Sequence, residues 1–366
     1  MDNLISFLDR LRQSNLLKQM NSLVLAAEDE SLFDIAFYKH RVKQEKSHYF
    51  AGRSLDKCIV ITNSTNLGNV SSQIDDKPVT RIDEDIMVQL AVSDPSQLNV
   101  LEDALVIMTN NNVAKVGPQQ MAHLISQTPR TLYAIHDFDN HHWHDLSIQN
   151  ACLADIYVPA HMSDYAEAAR INPIIQFGVP CGTIQWTREF LLERQGDITS
   201  KERSSSPLGM HSFYSKFKYR NSVLATVGKH FPEVGLLTKD FHGRTPEDRW
   251  NEWVSYELHW IAPVFNDLPI RFFDALVSGG LPLVPTGIVP YLDALQIPRE
   301  FYGVYGATDL INCEEFVQRM REKFIHGGKD GMLHRFLFAL DHYHVDAIIK
   351  KIWDNARYHY AHKNAT

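Results

Sequence analysis

Two groups of chemically competent residues stand out in the sequence, one rich in histidine and aspartate and the other basic. The first is the segment HDFDNHHWHD, His136 to Asp145, with four histidines and three aspartates. Carboxylates and imidazoles abstract protons or bind cations, whereas guanidinium and ammonium groups bind phosphate. The second group is spread over the later half of the chain: Lys216, Lys218, Arg220, Lys239 and Arg271.

The segment His136 to Asp145 directly follows Thr131 to Ile135, an apolar run that predicts a buried strand. Ligand sites of α/β sheets lie at the carboxyl ends of such strands. Three interpretations stay open. Asp137 or His136 is a general base toward a hydroxyl group, Asp137 with Asp139 is a DxD metal site, or the segment is a polar loop with capping aspartates.

The stretch from Glu257 to Gly287 reads as strand, loop, helix and strand. The apolar run Glu257 to Val264 predicts a buried strand, and Asp267 is the predicted N-cap of the following helix. A glycine pair ends that helix before a second apolar run. Arg271 stands in the first turn, where the helix dipole favours an anion. The pattern predicts capture of a phosphate or a nucleotide diphosphate.

The segment RFFDALVSGGLPLV, beginning at Arg271, resembles the donor-binding helix of GT-B type glycosyltransferases. It is most similar to the exostosin-like and α-1,3-fucosyltransferase-like groups, where a basic residue precedes LFDAL, a small-residue pair and a proline-containing strand. The resemblance is strong over residues 257–287 and loose over 207–300. Many GT-B enzymes carry a glutamate just before or within this helix, but here Ile270 precedes the arginine, so the donor is not carried over.

The segment SFYSKFKYRNSVLATVGKHF resembles the fucosyltransferase-like pattern of strand, polar loop and helix-opening arginine, with Arg220 at the arginine position. The resemblance implies that Arg220 and Arg271 lie at the ends of separate strands and hold the donor phosphates. Two guanidinium forks can do so bidentately without a metal, and no metal ligand is assigned. The other predicted donor contacts are Lys239, Asn266 and Ser278. Asn266 and Ser278 would equally suit a helix cap or a turn.

Three residues are candidates for catalysis. Asp137 or His136 would deprotonate an acceptor hydroxyl, as inverting sugar transfer requires. Asp240 follows the apolar run that starts at Val234, and is a candidate nucleophile for a retaining double displacement. Its alternative role is to cap the loop, with Lys239 contacting phosphate.

Composition bounds the function classes. The chain has 366 residues, 44% of them hydrophobic, a net charge of −8 and a pI near 6.1, which argues against nucleic-acid binding as the main role. No apolar run is long enough to cross a membrane, and the N-terminal segment lacks signal-peptide character. Four scattered cysteines fit a reducing compartment. We expect a cytoplasmic protein for which peripheral membrane contact stays open.

Strand and helix patterns alternate along both halves of the chain, which predicts an α/β fold of two Rossmann-like domains that face each other across a cleft, as in GT-B proteins. The polar, serine-rich segment 195–210 is the predicted linker. We expect an acceptor-side domain at 1–195, a nucleotide-sugar-binding domain at 207–340, and a terminal helix at 341–366 that crosses back to the first domain. The charged stretch Gln73 to Asp85 is expected to be exposed.

The predicted function is transfer of a sugar from a UDP-, GDP- or CMP-linked donor to a hydroxyl acceptor, in polysaccharide or glycoconjugate synthesis. Two alternatives stay open. One is a metal-dependent α/β hydrolase centred on His136 to Asp145. The other is a non-catalytic nucleotide- or glycan-binding scaffold, which the isoleucine at position 270 favours.

Overall fold

The computed structural model describes residues 31–63, 67–93, 95–140, 144–162, 168–169, 171–237, 244–265 and 267–361. Predictions for residues 1–30 and for Lys239, Asp240 and Asn266 lie outside these ranges. The chain divides into two compact units, Met1–Pro180 with Ile348–Thr366 and Cys181–Ala347. In the described part of the chain, no helix is both long and apolar enough to cross a membrane.

The first unit is built on a sheet of six strands. They are β1 (Lys57–Thr62), β2 (Gln73–Ile74), β3 (Lys77–Asp83), β4 (Ala104–Thr109), β5 (Leu132–Asp137) and β6 (Ile156–Pro159). The sheet order is β2-β3-β1-β4-β5-β6, and every neighbouring pair is parallel except β2 with β3. Strands β4, β5 and β6 are buried along their whole length, as expected for a parallel sheet covered on both faces.

Helices accompany this sheet in the described residues. They are α1 (Ser31–Phe50), α2 (Glu84–Ala91), α3 (Asn110–Val116), α4 (Pro118–Gln127) and α5 (His144–Leu153), with a 3-10 helix at Pro95–Leu101. The chain returns to the unit at Ile348, where Trp353 Nε1 donates to the Leu55 carbonyl at 2.8 Å and Tyr360 is buried. The C-terminal residues up to Ala361 are thereby part of the first unit's core.

The second unit holds five strands: β7 (Gly209–Ser212), β8 (Val234–Leu237), β9 (Leu258–Trp260), β10 (Leu281–Pro285) and β11 (Gly303–Tyr305). All of its strand pairs are parallel. A parallel bridge between Leu208 and His259 joins β7 to β9, so the order is β8-β7-β9-β10-β11. Buried Leu258, Trp260 and Leu283 are part of its core.

The helices of the second unit are α6 (Arg188–Glu193), α7 (Asp197–Ser200), α8 (Lys218–Val227), α9 (Pro246–Val254), α10 (Ile270–Val277), α11 (Val289–Ala294), α12 (Ala307–Ile311) and α13 (Cys313–Tyr343). Two 3-10 turns lie at Thr286–Ile288 and Arg299–Phe301, and α14 (Val345–Ala356) leads into a π-helix at Arg357–Ala361. Helix α13 is broken at Gly328, whose φ of +55° and ψ of −156° are not helical.

The two units share one strand order. Without the short β2, the sheets read second, first, third, fourth and fifth strand in chain order. This is a doubly wound α/β order, which confirms the predicted α/β class with two Rossmann-like units. In such sheets the ligand-binding edge lies at the carboxyl ends of the first and third strands, where the chain direction of the connections reverses. That switch point falls at β1 and β4 in the first unit, and at β7 and β9 in the second.

The stretch Gln73 to Asp85 is mostly exposed, as expected, although it forms β2, β3 and the start of α2 and buries Ile74, Val79 and Ile82. One local prediction was wrong. The strand predicted at Ile174 to Val179 is reduced to a single bridge between Tyr157 and Ile175.

The division between the units falls at Pro180 and Cys181, before the predicted boundary. The segment 195–207 is packed inside the second unit. Ile198 is fully buried, and Ser204 forms a parallel bridge with Tyr256. Its polar side chains are used for internal hydrogen bonds, such as Ser206 Oγ to Glu233 Oε2 at 2.5 Å.

Candidate functional site

Helix α10 connects β9 to β10 and begins at the ligand-binding edge of the second sheet. Its apolar face, with Phe272, Phe273 and Leu276 fully buried, fixes the helix to the core. Gly279 ends it with a φ of +74°, and a side chain on Gly280 would meet the His259 ring at 2.3 Å. The N-cap is Pro269 rather than the predicted Asp267, and no side chain caps the N-terminus. The N-cap residue therefore satisfies none of the first backbone N–H groups of α10 with its side chain.

Arg271 lies in the first turn of this uncapped helix and is partly exposed. Its guanidinium carbon is 5.7 Å from the centroid of the Trp253 ring. A cation at a helix N-terminus is opposed by the helix dipole, whereas an anion there is favoured. The position of Arg271 therefore adds positive charge to an end that is already positive.

Arg220 lies in the first turn of α8 and is buried. Its Nε donates to the Ala262 carbonyl at 2.9 Å, and its NH1 donates to the Ser212 carbonyl at 2.8 Å. These carbonyls follow the ends of β9 and β7, so Arg220 bridges the two strands of the switch point. Its guanidinium also lies 5.4 Å from the Tyr214 ring centroid.

The structure brings Arg220 and Arg271 into one electrostatic environment. Burial lowers the pKa of Arg271 to about 10; Asp274 and Glu252 counteract this, while Arg220 and Arg244 lower the pKa further. Burial, Arg271 and Arg220 together hold the pKa of His211 well below its ordinary value. At neutral pH the arginines are charged and His211 is neutral; Asp267 faces Arg220, and Asp274 and Glu252 face Arg271, with the opposite charge.

At the C-terminal end of α10, two arginines donate hydrogen bonds to backbone carbonyls that the helix leaves free. Arg335 donates from Nε and NH2 to the Gly279 carbonyl, and Arg203 donates to the Ser278 carbonyl at 2.7 Å. Cations at a helix C-terminus complement both the free carbonyls and the dipole. These two arginines are therefore explained by the helix end that they cap, whereas Arg271 lies at the end where the helix dipole opposes a cation.

Asp274 lies one turn after Arg271 and is fully buried. Its carboxylate accepts hydrogen bonds from Thr183 Oγ1 at 2.9 Å and from Gln185 Nε2 at 2.5 Å, and Gln185 in turn accepts from Arg249. Burial raises the pKa of Asp274 to about 7, against the opposing effects of these donors and of Arg271. The charge that balances Arg271 is thus itself sensitive to pH near neutrality.

Ser278 lies at the C-terminal end of α10, where its hydroxyl is fully buried and donates to the Ala275 carbonyl at 2.9 Å. This is the capping role that the sequence left open, and it places Ser278 at the other end of the helix from Arg271. Ser278 therefore does not belong to the site that we assemble. The predicted contacts Lys239 and Asn266 lie outside the described residues.

The corresponding edge of the first unit carries a carboxylate that is already neutralised. Glu84, at the start of α2, accepts hydrogen bonds from Asn63 at 2.8 Å, Asn112 at 3.0 Å and Lys115 at 2.8 Å. Although burial acts to raise it, hydrogen bonds from these three groups hold the pKa of Glu84 below its ordinary value. Lys115 also pairs with Asp85.

His136 and Asp137 occupy the end of β5 and have no exposed surface. The Asp137 carboxylate accepts from Asn150 at 3.2 Å, Tyr157 at 2.9 Å and the Asp139 amide at 3.1 Å, while burial raises its pKa. His136 Nε2 lies 3.0 Å from the Val179 carbonyl, and burial lowers its pKa to about 3. His136 is therefore neutral, and Asp137 is enclosed by donors.

The predicted metal alternatives at His136 to Asp145 gain no support from the described residues. Among them, no three His, Cys, Asp or Glu side chains are grouped to hold a metal ion. Asp139 accepts a hydrogen bond from Asn110 at 2.8 Å. Residues 141–143 lie outside the described ranges.

Three functional features were missed by the sequence analysis. Arg244 joins the charge environment of Arg271 from the segment before α9, with no local pattern to indicate it. Asp274 lies three residues after Arg271 in the segment that resembles GT-B donor helices. Helical spacing could therefore have predicted that the two side chains lie close together. Phe265 lies in the β9–α10 loop with 65% of its surface exposed and a φ of +53°, which no sequence signal indicates.

The fold defines an α/β protein of two units with the same parallel strand order, the second of which carries Arg220 and Arg271 at the carboxyl edge of its sheet. No protein-family model matches the chain, and no curated protein matches it. Among solved structures it is similar to the crystal structure of Anabaena Alr3699/HepE in complex with UDP, with 11% identity and a TM-score of 0.45. The match covers 77% of this chain and 87% of that one. A likeness at this level assigns neither ligand nor activity.

Proposed function

We propose that the protein is a glycosyltransferase that moves a sugar from a nucleotide-activated donor to a hydroxyl acceptor. The observation that carries this proposal is Arg271 in the first turn of an uncapped helix, in one charge environment with Arg220 at the switch point of a parallel sheet. This edge is where α/β sheets bind ligands, and guanidinium groups at a helix N-terminus suit a diphosphate. The resemblance of residues 271–284 to GT-B donor helices favours the same assignment.

The proposed role of the arginines is to stabilise the leaving nucleotide. When the sugar–phosphate bond breaks, negative charge develops on the departing diphosphate. Preorganised cations at that position lower the barrier because they need no reorganisation during the reaction. Arg220 uses Nε and NH1 to fix the strand ends, so the phosphate contact that we assign to it is made by the remaining donors of its fork. Arg271 supplies the second fork.

The donor is a UDP-, GDP- or CMP-linked sugar, and the acceptor is a glycan or another hydroxyl compound in polysaccharide or glycoconjugate synthesis. Lys239 and Asn266 remain proposed donor contacts, and Asp240 remains a proposed nucleophile. The general base is proposed to be Asp137 or His136. Since both are fully buried, this role requires a rearrangement at the end of β5 before either side chain meets an acceptor.

Calorimetric titration with UDP, GDP and CMP tests the proposal. We expect at least one nucleotide to bind, and Arg271→Ala to weaken it about 10- to 100-fold, since a hydrogen bond to a charged group contributes about 1.5–3 kcal/mol. Arg319→Ala is the matched control, because Arg319 is an exposed arginine of the same unit paired with Asp309. A parent protein that binds none of the nucleotides, or an Arg271→Ala variant that binds as well as the parent, would contradict the proposal.

A measurement of turnover distinguishes the proposed transferase from a non-catalytic binding scaffold. The proposed transferase releases free nucleotide from its cognate nucleotide sugar when an acceptor is supplied. Binding without release across a panel of donors and acceptors would favour the non-catalytic alternative, for which Ile270 in place of a glutamate is the motivating feature.

A further inference from the structure

Three aromatic side chains in contact form an aromatic patch beside the arginine-bearing edge of the second unit: Tyr214, Phe217 and Phe265, with exposed Phe213 next to Tyr214 in the chain. Phe265 is 65% exposed, Phe213 59% and Tyr214 49%. The Phe217 and Phe265 ring centroids are 5.0 Å apart, and those of Tyr214 and Phe217 are 5.9 Å apart, both edge to face. Edge-to-face contacts hold neighbouring rings in defined orientations. The patch is therefore an ordered apolar surface in contact with water.

The patch stands on two loops that leave the switch point. Phe213, Tyr214 and Phe217 lie between β7 and α8, and Phe265 lies between β9 and α10. Arg220 ties these loops together through its hydrogen bonds to the Ser212 and Ala262 carbonyls. The aromatic surface is thus anchored by a residue of the proposed phosphate site, and its β9–α10 loop runs directly into the turn that carries Arg271.

Phe265 is held in an unfavourable state in two respects. Its φ of +53° is in the left-handed region, which bulky side chains avoid. Its ring is also mostly exposed, so it gains little from burial in the core. A residue kept in a strained and exposed conformation contributes little to folding, and such strain is concentrated at ligand clamps and active sites.

We propose that Phe265 stacks on the base of a nucleoside diphosphate whose phosphates lie at Arg271, with Phe217 supporting the ring edge to face. The inference rests on the proposed function and goes beyond it by assigning the residue that binds the nucleoside part. Every nucleobase has a flat aromatic face, so a stacking residue raises affinity without strict selection of the base. The ligand class is therefore a nucleoside diphosphate rather than a bare diphosphate.

Comparing the affinity for a nucleoside diphosphate with that for inorganic pyrophosphate measures what the nucleoside part contributes to binding. We expect the parent to bind UDP or GDP about 5- to 150-fold more tightly than pyrophosphate in calorimetric titrations. Phe265→Leu should lose most of this difference while its pyrophosphate affinity stays unchanged, and Phe265→Tyr should retain the difference. Phe177→Leu, at a half-exposed phenylalanine of the first unit, is the matched control and should behave like the parent.

Stability gives an independent readout of the same residue. Phe265→Gly removes the side chain that disfavours a positive φ, so we expect a higher melting temperature without ligand together with the loss of nucleoside diphosphate affinity. A merely structural phenylalanine would lower the melting temperature on replacement, and that result would overturn the inference.

The outcomes also separate this inference from the proposed function. A parent that binds pyrophosphate as tightly as UDP and GDP overturns stacking and leaves the phosphate site standing. Equal losses for nucleotide and pyrophosphate in Phe265→Leu show that Phe265 shapes the phosphate site instead, and also overturn it. A parent that binds neither class of ligand overturns the proposed function and the stacking together.

Discussion

The carboxyl edges of the two sheets have the same strand order and opposite chemistry. In the first unit the edge carries Glu84 and Asp137, and each carboxylate accepts several hydrogen bonds from its own neighbourhood. In the second unit the edge carries Arg220 and Arg271 in one charge environment, next to exposed aromatic rings. The first edge carries carboxylates that neighbouring donors hold, whereas the second carries two arginines, one of them in the first turn of a helix.

This difference distinguishes charged groups that the fold itself satisfies from charged groups that suit a ligand. A buried ionic group without partners is costly, so a fold normally surrounds it with donors or acceptors. Asp137 follows that rule and so do Arg203 and Arg335. Arg271 is partly exposed; Asp274 and Glu252 stabilise its charge, whereas Arg220, Arg244 and the helix dipole oppose it. A ligand that carries negative charge would remove this repulsion.

The largest expected effect tests the structural role of the first edge. Asp137→Ala leaves the donors Asn150 and Tyr157 without their shared acceptor in a fully buried site. We expect the free energy of unfolding to fall by about 3 kcal/mol, since each unsatisfied buried group costs about 1–3 kcal/mol. Urea denaturation measures this. Asp85→Ala, at an exposed carboxylate, is the control and should change stability by less than about 0.5 kcal/mol.

If Asp137→Ala retained full stability, the first edge would not be the self-satisfied structure that the comparison requires. A variant with normal stability and lost turnover would instead favour the predicted catalytic role of Asp137.

The second prediction concerns Arg271 itself. We expect Arg271→Met to lower nucleotide affinity by about 2 kcal/mol, while the unfolding free energy without ligand changes less than in Asp137→Ala, because Arg271 is partly exposed. Thermal unfolding with and without nucleotide measures both effects, since a ligand that binds only the folded state raises the melting temperature. A large loss of stability without ligand would place Arg271 among the structural arginines.

The third prediction is that Asp274 makes the free energy of unfolding depend on pH. Its pKa in the folded protein, about 7, lies above the ordinary aspartate value of 3.8. The folded state therefore holds this proton between pH 4 and 7 while the unfolded state has lost it, so the group's contribution to stability falls as pH rises through that window and is constant above it. The expected slope is about 1 kcal/mol per pH unit.

Asp274→Asn should abolish that slope, which denaturation at pH 5, 6 and 7 measures as the difference between parent and variant. The difference is required because the buried neutral histidines His136, His211 and His259 act oppositely: their folded pKa values are lowered, so stability is lost as pH falls below about 6.5. An unchanged slope in the variant would mean that Asp274 does not titrate in this window.

The smallest expected effect is at Glu84. Its pKa is lowered in the folded protein, so its contribution to stability is present above its ordinary pKa of about 4.5 and is lost as pH falls below that value. Glu84→Gln should reduce stability at pH 7 by about 1 kcal/mol or less, because the carboxylate is partly hydrated. Nucleotide affinity should stay unchanged, and a large loss would bring the first edge into the nucleotide site.

Much of the fold could be predicted from the local pattern of apolar and polar residues. The strand at Lys57 to Thr62 and the strand at Ile156 to Pro159 were predicted with the bounds that the structure has, because each is a buried apolar run between polar segments. Strand β3 was missed because it alternates buried and exposed residues at the margin of the sheet, where charges on the outward face hide the pattern. The sequence also could not reveal that residues 195–207 pack internally, since serine-rich composition does not show which hydrogen bonds a segment makes.

By itself, the sequence determined the α/β class and the helix that carries Arg271, because both follow from short-range periodicity and from residues that begin and end helices. Only the tertiary structure decided what each polar residue does. It placed Ser278 in a cap, enclosed Asp137 among donors, and brought Arg220 and Arg244 into the charge environment of Arg271. The reason is physical: a side chain's charge state and accessibility depend on groups distant in the chain, which local pattern does not encode.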